Sequence, residues 1–562
     1  MAQARRGMFH EPPPPRHLRS DTISAMRVTF LGQAGLYLET RAGSILCDPW
    51  FNPAYFGSWF PFPANDGIDP RTIGSPDYLY VSHLHHDHFD PEWLSEHCSR
   101  DATVILPDYP VDDLRHELHD LGFRRFVETA DCEPIELAGG LRILVMALDA
   151  PTDGPLGDSA LLVDDGETRL LNMNDSRPTD PDKLLTFGPL DLLFLQFSGA
   201  IWYPMVYEFP PKAKTTLAHK KRVVQLARAQ RYIEILAPTF VVPSAGPPCF
   251  LDDDLFEQND LRRDPANIFP DQTVFLDHLA EAGIYGGRLM LPGSTGELSR
   301  TAFDVVHSVS DAEVHRIFDD REPYLREYQA RMRPRLDAEH ERWRGDPGAE
   351  PLDLLAELKA WFEPLMGFGE QICSGIGAQV LLDLGSEGIV LDFVDQKVRR
   401  WDRQEQTRYV FRMARPLVEL LVREHEVDWV NSLFLSMRFS AARKGPYNDY
   451  LYTWFKCLDL ERIQYAEGFY AEKAKSEGSF VIDGWEVQRR CPHMKADLTR
   501  FASIDDGVLT CSLHGWQYEL ETGRCLTSEG HEITARKLTE EELEALALAA
   551  EAAGATVAVA VD

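Results

Sequence analysis

The sequence predicts a multidomain protein in which an α/β part is followed by an α+β part and a small all-β part. From Met26 to about residue 320, apolar strand-like runs alternate with helical patterns. Residues 321–462 show helices, then strands, then helices, and residues 463–562 contain short strands with frequent turns. A chain of 562 residues is also too long for one hydrophobic core.

Each part has its own evidence in the residues. The first contains strand-like runs such as MRVTFLG, DYLYVSH and LDLLFLQF, separated by helical patterns such as PEWLSEHC. A charged helical stretch from Pro323 to Arg344, followed by GDPGAEP, predicts the boundary to the middle part. Residues 1–25 form a polar, proline-rich lead-in that we expect to be poorly ordered.

The composition excludes several classes of function. The apolar content of 44% and the charged content of 26% are those of a globular protein. A net charge of −33 disfavours nucleic acid as a partner, because phosphates would be repelled. We find no secretory signal and no membrane span, and the nine scattered cysteines predict no disulfide framework. The sequence therefore predicts a cytoplasmic protein.

The strongest chemical pattern lies near the C-terminus. Cys491-Pro-His493 is followed at a distance by Cys511-Ser-Leu-His514, a C-x-H…C-x-x-H pattern. Two thiolates and two imidazoles in this arrangement are the ligands of a Rieske [2Fe–2S] cluster, and about residues 465–545 resemble Rieske domains. A Cys₂His₂ zinc site is the alternative, but zinc fingers normally pair cysteine with cysteine. Cys525 is interpreted as a packed structural thiol.

A second metal pattern follows an apolar strand in the first part. The segment SHLHHDH supplies His83, His85, Asp87 and His88, whereas His86 occupies a variable position. Its spacing directs His83 and His85 to one metal and Asp87 with His88 to a second. The alternative is a solvated histidine-rich loop.

This segment resembles the metallo-β-lactamase superfamily, which implies an αββα sandwich for residues 26–320. The resemblance implies that Asp175 is the bridging carboxylate, while Ser244 stands where a last histidine is expected. Another expected histidine is absent from the interval that contains Asp149, Asp153 and Asp158. Asp153 is the favoured substitute. A carboxylate in place of imidazole favours one or two non-haem iron ions over zinc.

Several further segments resemble the CMP-N-acetylneuraminate hydroxylase family, whose members are Rieske-containing monooxygenases. They include LLNMNDSRP, FVVPSAGPPCF and NDYLYTWF, collinear over roughly residues 28–455. In that family the Rieske domain precedes the lactamase-like domain, whereas here it follows. The resemblance implies hydroxylation of a C–H bond with O₂, but the sugar-nucleotide substrate is not carried over.

The predicted function is that of a Rieske-coupled non-haem iron monooxygenase acting on a small polar molecule. Electrons would come from an external ferredoxin, cytochrome or flavin reductase, because we find no dinucleotide-binding G-x-G-x-x-G. One alternative is a zinc hydrolase of the lactonase or phosphodiesterase type with a regulatory Rieske domain. Another is a non-catalytic electron-transfer protein.

Three questions stay open at the level of the sequence. The middle part carries no chemical motif and could cover the site, position the Rieske domain or form a homo-oligomer contact. Trp202, Tyr203 and Tyr207 could line a pocket or belong to the core. A basic run could hold an anionic substrate or donor, or be a solvated helix face; its members are Lys212, Lys214, His219, Lys220, Lys221 and Arg222.

Overall fold

The computed structural model describes residues 25–148, 150, 157–345, 350–471 and 478–553, with side chains described as far as residue 546. Apart from Ala25, the lead-in predicted for residues 1–25 lies outside the described residues. The same is true of Asp149 and Asp153, two candidates for the missing metal ligand.

The first part is built on two β-sheets. Its strands are β1 Met26–Gly32, β2 Gly35–Thr40, β3 Gly43–Cys47, β4 Tyr78–Tyr80, β5 Thr103–Leu106, β6 Arg125–Glu128, β7 Ile135–Glu136, β8 Arg142–Ala147, β9 Ser159–Asp164, β10 Arg169–Asn172, β11 Leu192–Gln196, β12 Phe240–Ser244, β13 Thr295–Leu298 and β14 Phe303–Val306. Its helices are α1 Pro91–His97, α2 Asp113–Asp120, α3 Pro211–Leu236, α4 Gln272–Glu281, α5 Asp311–Phe318 and α6 Arg321–Arg344.

The sheets pack face to face with helices outside. One sheet has the order β14-β13-β1-β2-β3-β4-β5-β6 and the other β12-β11-β10-β9-β8-β7. Alternate residues of β1, such as Val28 and Phe30, enter a core shared with Leu161 and Leu192 of the second sheet. On the outer faces, α1 packs against the first sheet and α3 against the second. This confirms the predicted αββα sandwich.

The middle part is a five-stranded sheet flanked by helices. Its strands are β15 Gln379–Asp383, β16 Gly388–Asp392, β17 Lys397–Arg400, β18 Tyr409–Met413 and β19 Phe439–Arg443, in the order β17-β16-β15-β18-β19. Its helices are α7 Leu354–Phe368, α8 Glu370–Ile376, α9 Arg415–Glu424, α10 Asp449–Lys456 and α11 Leu460–Ala471. The side chain of Asn448 caps α10 by accepting a hydrogen bond from the Leu451 amide.

The C-terminal part consists of two small antiparallel sheets. The strands are β20 Ser479–Ile482, β21 Trp485–Gln488, β22 Ala502–Asp505, β23 Val508–Cys511, β24 Trp516–Glu519 and β25 Ala535–Lys537; the helices are α12 Leu498–Phe501 and α13 Glu540–Ala553. One sheet has the order β20-β21-β25 and the other β22-β23-β24. The predicted all-β character of this part is confirmed.

Two helices lie at the predicted domain boundaries, residues 320 and 462, and the parts they pack against do not follow those boundaries. Helix α6, assigned by its sequence to the middle part, packs Tyr328 and Leu336 against Phe60 of the first part. Helix α11 stays with the middle part, where Glu467 accepts hydrogen bonds from the first amides of α8. An amphipathic helix at a boundary shows from its sequence which face is buried, but not which neighbour covers it.

The first and middle parts share a buried aromatic interface. Trp202 and Tyr207 are 4% and 1% exposed, and Trp202 packs edge-on against Phe434 at 5.6 Å. The hydroxyls of Tyr207 and Tyr452 are hydrogen-bonded. Trp202 and Tyr207 therefore belong to the core, which was one of the two interpretations of these aromatic residues. Among the described helices, none is long and apolar enough to cross a membrane.

We expect Arg438→Ala to loosen the middle part from the first. Arg438 is 7% exposed and binds Asp252 at 2.6 Å, so its loss would leave a buried carboxylate without its guanidinium partner. The expected cost is about 3–5 kcal/mol of unfolding free energy, measured by urea denaturation. Arg412, which binds Glu208 across the same interface at an exposed position, provides the control. Arg412→Ala should cost about 1 kcal/mol or less, and equal costs would contradict the assignment.

Candidate metal centre and iron–sulfur site

One cluster of donors lies where the loops after β4 and β10 meet the start of β9. Ligand atoms of His83, His85, Asp158 and Asp175 all lie within 4.8 Å of one another. His83 Nε2 is 3.2 Å from Asp158 Oδ1 and 3.8 Å from Asp175 Oδ1. Strand ends from both sheets therefore bring these side chains together, which is the arrangement of a metal site.

A second pair of donors lies on the other side of Asp175. His88 Nε2 is 3.7 Å from Asp175 Oδ2 and 3.7 Å from Asp87 Oδ2. The two carboxylate oxygens of Asp175 thus approach different imidazoles, His83 through Oδ1 and His88 through Oδ2. This geometry can accommodate two metal ions with Asp175 between them.

Outer hydrogen bonds orient the two imidazoles. Ser82 Oγ lies 2.9 Å from His83 Nδ1, and Asp48 Oδ2 lies 2.9 Å from His88 Nδ1. Asp48 also accepts hydrogen bonds from the amide and hydroxyl of Ser82. Because the Nδ1 atoms are engaged in this way, both Nε2 atoms are directed into the site, as is usual for metal-ligating histidines.

Asp87 is held by two residues that the sequence analysis did not identify. Tyr55 donates its hydroxyl to Asp87 Oδ1 at 2.5 Å, and Gln33 donates to Oδ2 at 2.8 Å. Burial and the carboxylate of Asp87 raise the pKa of Tyr55 well above its usual value, so the phenol stays protonated and donating. Nothing in the local spacing of the sequence links Tyr55 or Gln33 to this loop.

The two imidazoles differ in protonation state when no metal is bound. Burial and the charge of His88 lower the pKa of His83 to about 3, so this imidazole is neutral, as a ligand must be. Burial alone would lower the pKa of His88, but the carboxylates of Asp175, Asp87 and Asp48 raise it to about 10. Within the described residues His83 Nε2, His88 Nε2 and Asp175 Oδ1 have no hydrogen-bond partner. These buried nitrogen and oxygen atoms fit a metal ion.

Other residues singled out by the sequence lie at or near this cluster. His86 is exposed and stacks on Tyr55 with 5.4 Å between ring centroids, outside the donor set. Asp153 lies outside the described residues, whereas Asp158 is described and approaches His83. Ser244 ends β12 and is 1% exposed, and its hydroxyl has no partner among the described residues.

The predicted cluster ligands also converge. Cys491 follows β21 and Cys511 ends β23, while the rings of His493 and His514 lie 5.0 Å apart. Burial would raise the pKa of Cys491, but a hydrogen bond with Cys511 and the nearby His493 lower it to about 6. Neither ring nitrogen of His514, nor Nδ1 of His493, has a partner among the described residues. Two thiols and two imidazoles, each with a ring nitrogen that has no partner among the described residues, fit an iron–sulfur cluster.

The middle part contributes a carboxylate to this second site. Asp449, at the start of α10, lies 3.7 Å from His493 Nε2 and 3.8 Å from His531 Nε2. Asp449 also accepts a hydrogen bond from the Tyr470 hydroxyl at 3.1 Å. Burial would raise the pKa of Asp449, but the adjacent imidazole of His493 and then that of His531 lower it, so the group is an anion. The sequence analysis identified neither Asp449 nor His531 as part of a site.

Residues 175–182, called the linking segment below, contact both sites. The segment begins at the metal donor Asp175, and the Thr179 carbonyl accepts a hydrogen bond from the Asp497 amide at 3.4 Å. Asp180 binds Arg490, the residue before Cys491, at 2.6 Å. Asp182 binds Arg500 at 2.7 Å. One short stretch of backbone therefore joins the two predicted centres within a single chain.

A cavity of about 470 Å³ lies beside the metal donors, between the first and middle parts. His83 and His85 line one wall, and Glu426, Asp428 and Asn431 line the other. The middle part thus covers one side of the candidate metal centre. A cavity of this volume is large enough for a small molecule.

Comparison with known proteins establishes the family. Residues 481–536 match the model of the Rieske [2Fe-2S] domain, and residues 354–472 match that of the Rv3818-like, SCP2-like domain. The chain is 52% identical to Rv3818 of Mycobacterium tuberculosis, named for its Rieske 2Fe-2S centre, over 90% of this chain and 99% of that one. It belongs to this family of Rieske 2Fe-2S iron–sulfur proteins, and the predicted cluster type is confirmed.

Two more distant similarities concern the first part. The cytidine monophosphate-N-acetylneuraminic acid hydroxylase of the starfish Asterias rubens is 24% identical over 40% of this chain and 35% of its own length. The metallo hydrolase Igni18 of Ignicoccus hospitalis is similar over 48% of this chain and 97% of its own, with 18% identity and a TM-score of 0.34. The weak similarity to the hydroxylase agrees with the predicted resemblance.

We expect Asp449→Asn to raise the reduction potential of the Rieske cluster by tens of millivolts. A buried carboxylate beside His493 favours the more positive, oxidised state of the cluster, and an amide of the same size removes that charge. Potentiometric titration followed by EPR measures the shift. Asp505→Asn, an exposed position on β22, is the control and should leave the potential unchanged. Equal potentials in wild type and Asp449→Asn would contradict a role for this carboxylate.

Proposed function

We propose that the protein is a Rieske-coupled non-haem iron oxygenase, a monooxygenase that hydroxylates a small polar molecule with O₂ and electrons from an external donor. The observation that carries the proposal is the linking segment. It joins the donor Asp175 to Asp180, which binds the neighbour of the cluster ligand Cys491 at 2.6 Å. Hydrolysis consumes no electrons, so an electron carrier near the metal would have no role in it. A monooxygenase, in contrast, consumes electrons in every turnover.

Each set of residues has a defined task in this proposal. His83, His85, Asp87, His88, Asp158 and Asp175 would hold one or two iron ions, and Cys491, His493, Cys511 and His514 would hold the cluster. When bound, the cluster supplies single electrons and the iron supplies O₂ activation. Asp48, Ser82, Tyr55 and Gln33 orient these donors through the hydrogen bonds described above. Such outer contacts fix ligand geometry before a substrate binds.

The middle part provides the wall opposite the metal donors. The substrate would occupy the cavity between His85 and Asp428, from which bulk water is partly excluded. Burial raises the pKa of Glu426 to about 7, so this wall carries a carboxyl that can take up or release a proton near neutral pH. In this proposal the middle part covers the metal site.

The test is metal and sulfide analysis of anaerobically purified protein, with EPR before and after dithionite. We expect a Rieske signal and iron beyond the two cluster atoms. In His83→Ala we expect the additional iron to fall to less than about a tenth of the wild-type content while the cluster stays filled, because a first ligand is lost. His86→Ala removes an imidazole three residues away that lies outside the donor set, and it should retain all the iron.

Other outcomes would contradict the proposal in distinct ways. Zinc at the His83 site, with activity that needs no reductant, would identify a metallo-hydrolase with a regulatory Rieske domain. A filled cluster beside a site that binds no metal would identify an electron-transfer protein. Equal iron loss in His83→Ala and His86→Ala would mean that the donor set is assigned incorrectly.

A further inference from the structure

The basic run identified in the sequence lies on helix α3, and its residues are found in two different environments. Lys212, His219 and Lys220 are exposed, and buried Arg222 pairs with Asp260 at 3.4 Å. Lys221 lies on a different face, together with Gln225 and Arg228, since residues four and seven positions apart share one side of a helix. Only part of the basic run is therefore a solvated face.

The face of α3 that carries Lys221 lies close to both predicted centres. Burial, followed by the charges of Arg177 and Arg228, lowers the pKa of Lys221 to about 7. The same three cations, after burial and His493, lower the pKa of the cluster ligand His514. Arg177 belongs to the linking segment and also acts on Asp175, two residues earlier. The three cations thus act on the predicted cluster ligand His514, and Arg177 acts on the metal donor Asp175 as well.

Arg177 and Lys221 have no ion-pair partner among the described residues, although Arg177 acts on Asp175 at longer range. Neither makes an ion pair or a hydrogen bond with any described residue, and Arg177 Nε is buried without an acceptor. Buried Arg321, by contrast, is paired with Asp271 at 2.9 Å. Adjacent, partly buried cations without an anion are costly, and they are unexpected in a chain with a net charge of −33.

Unpartnered polar groups surround these cations at the ends of β11 and β12. Arg228 donates to Gln196 Oε1 at 3.4 Å, and Gln196 is the register partner of Ser244. Among the described residues, four buried atoms here have no hydrogen-bond partner: Gln196 Nε2, Ser198 Oγ, Gln225 Oε1 and Ser244 Oγ. Their residues are at most 7% exposed. Buried polar atoms are almost always satisfied in a complete structure, so this group indicates a missing polar ligand.

We propose that the substrate carries an oxyanion, a carboxylate or a phosphate, which Arg177 and Lys221 bind at the ends of β11 and β12 beside Asp175. The inference rests on the proposed oxygenase function, because it places the oxyanion at the same metal centre. Arg177 and Lys221 do not line the cavity beside Asp428, so the substrate would reach from that cavity to the oxyanion site. Ser244, which stands where the lactamase-like pattern has a histidine, leaves room for the group and can donate a hydrogen bond to it. Gln196 Nε2 and Ser198 Oγ are further donors on the same side.

The test measures binding of inorganic phosphate to the full-length holoprotein by isothermal titration calorimetry. We expect saturable binding that Lys221→Met weakens about tenfold or more, as for the loss of one charged hydrogen bond. Lys212→Met makes the same change at an exposed position of the same helix and should have no effect. Acetate that displaces phosphate would indicate a carboxylate site as well, whereas binding of phosphate alone would indicate a phosphate-bearing substrate.

Thermal unfolding in phosphate-free buffer supplies a second readout. Lys221→Met should raise the midpoint, because it removes a repelled and desolvated charge, whereas a lysine with a structural role would lower the midpoint on removal. No saturable phosphate binding, or equal weakening by Lys221→Met and Lys212→Met, would overturn the inference. Binding needs neither turnover nor a particular metal, so its outcome is independent of the iron analysis that tests the proposed function.

Discussion

The carboxylate of Asp175 is the group around which the two donor sets are arranged. One oxygen faces His83 and the other faces His88, and Asp87 and Asp158 complete the two sides. Three acidic groups this close together in a buried place repel one another unless a cation lies between them. In the metal-free arrangement a protonated His88 supplies part of that charge, since its pKa is raised to about 10. The stability of this region therefore depends on a positive charge at its centre.

The position of the Rieske domain follows from the residues that come directly after Asp175. From Asp175 to Asp180 the backbone can span at most about 18 Å, so the ion pair of Asp180 with Arg490 brings the two sites close together. The domain order is reversed relative to the hydroxylase family that the sequence resembles. Contacts made by the linking segment do not depend on that order, because they join surfaces rather than chain ends. A second subunit is not needed to bring a cluster to this metal centre.

The sequence was most informative where ligands lie close together along the chain. The pattern around His83, the two halves of the cluster motif and the alternation of strands and helices could be predicted from local spacing, whereas the αββα sandwich followed from the family resemblance. Asp175 followed from the family resemblance and could not be derived from spacing alone. Between Asp149, Asp153 and Asp158 the sequence could not decide, because a loop has no periodicity that indicates which side chain turns inward. Asp158 precedes β9, and the strand directs it to His83.

Residues contributed by other elements could not be predicted in this way. Tyr55, Asp449 and His531 reach their sites only through tertiary packing, and Arg177 stands out only because it has no ion-pair partner among the described residues. The packing of α6 across the predicted boundary at residue 320 could not be predicted for the same reason, since α6 is amphipathic and could have packed on either neighbour. The sequence of a helix predicts which of its faces is buried, but the surface that covers this face depends on the whole fold.

Helix α10 gives a physical reason for the middle part, which lacks a chemical motif of its own. Its eight residues correspond to about 12 Å. Asp449 at its start lies beside the cluster ligand His493, and the charge of Lys456 at its end contributes to lowering the pKa of the metal donor His85. Between them, Tyr452 packs on Trp202 of the first part, and Trp454 packs on Phe362 and Phe393 within the middle part. A helix with one end beside each predicted centre restricts their separation. Under the proposed function the middle part would act through the distance it maintains, since electron transfer between two bound centres depends on how closely they are held.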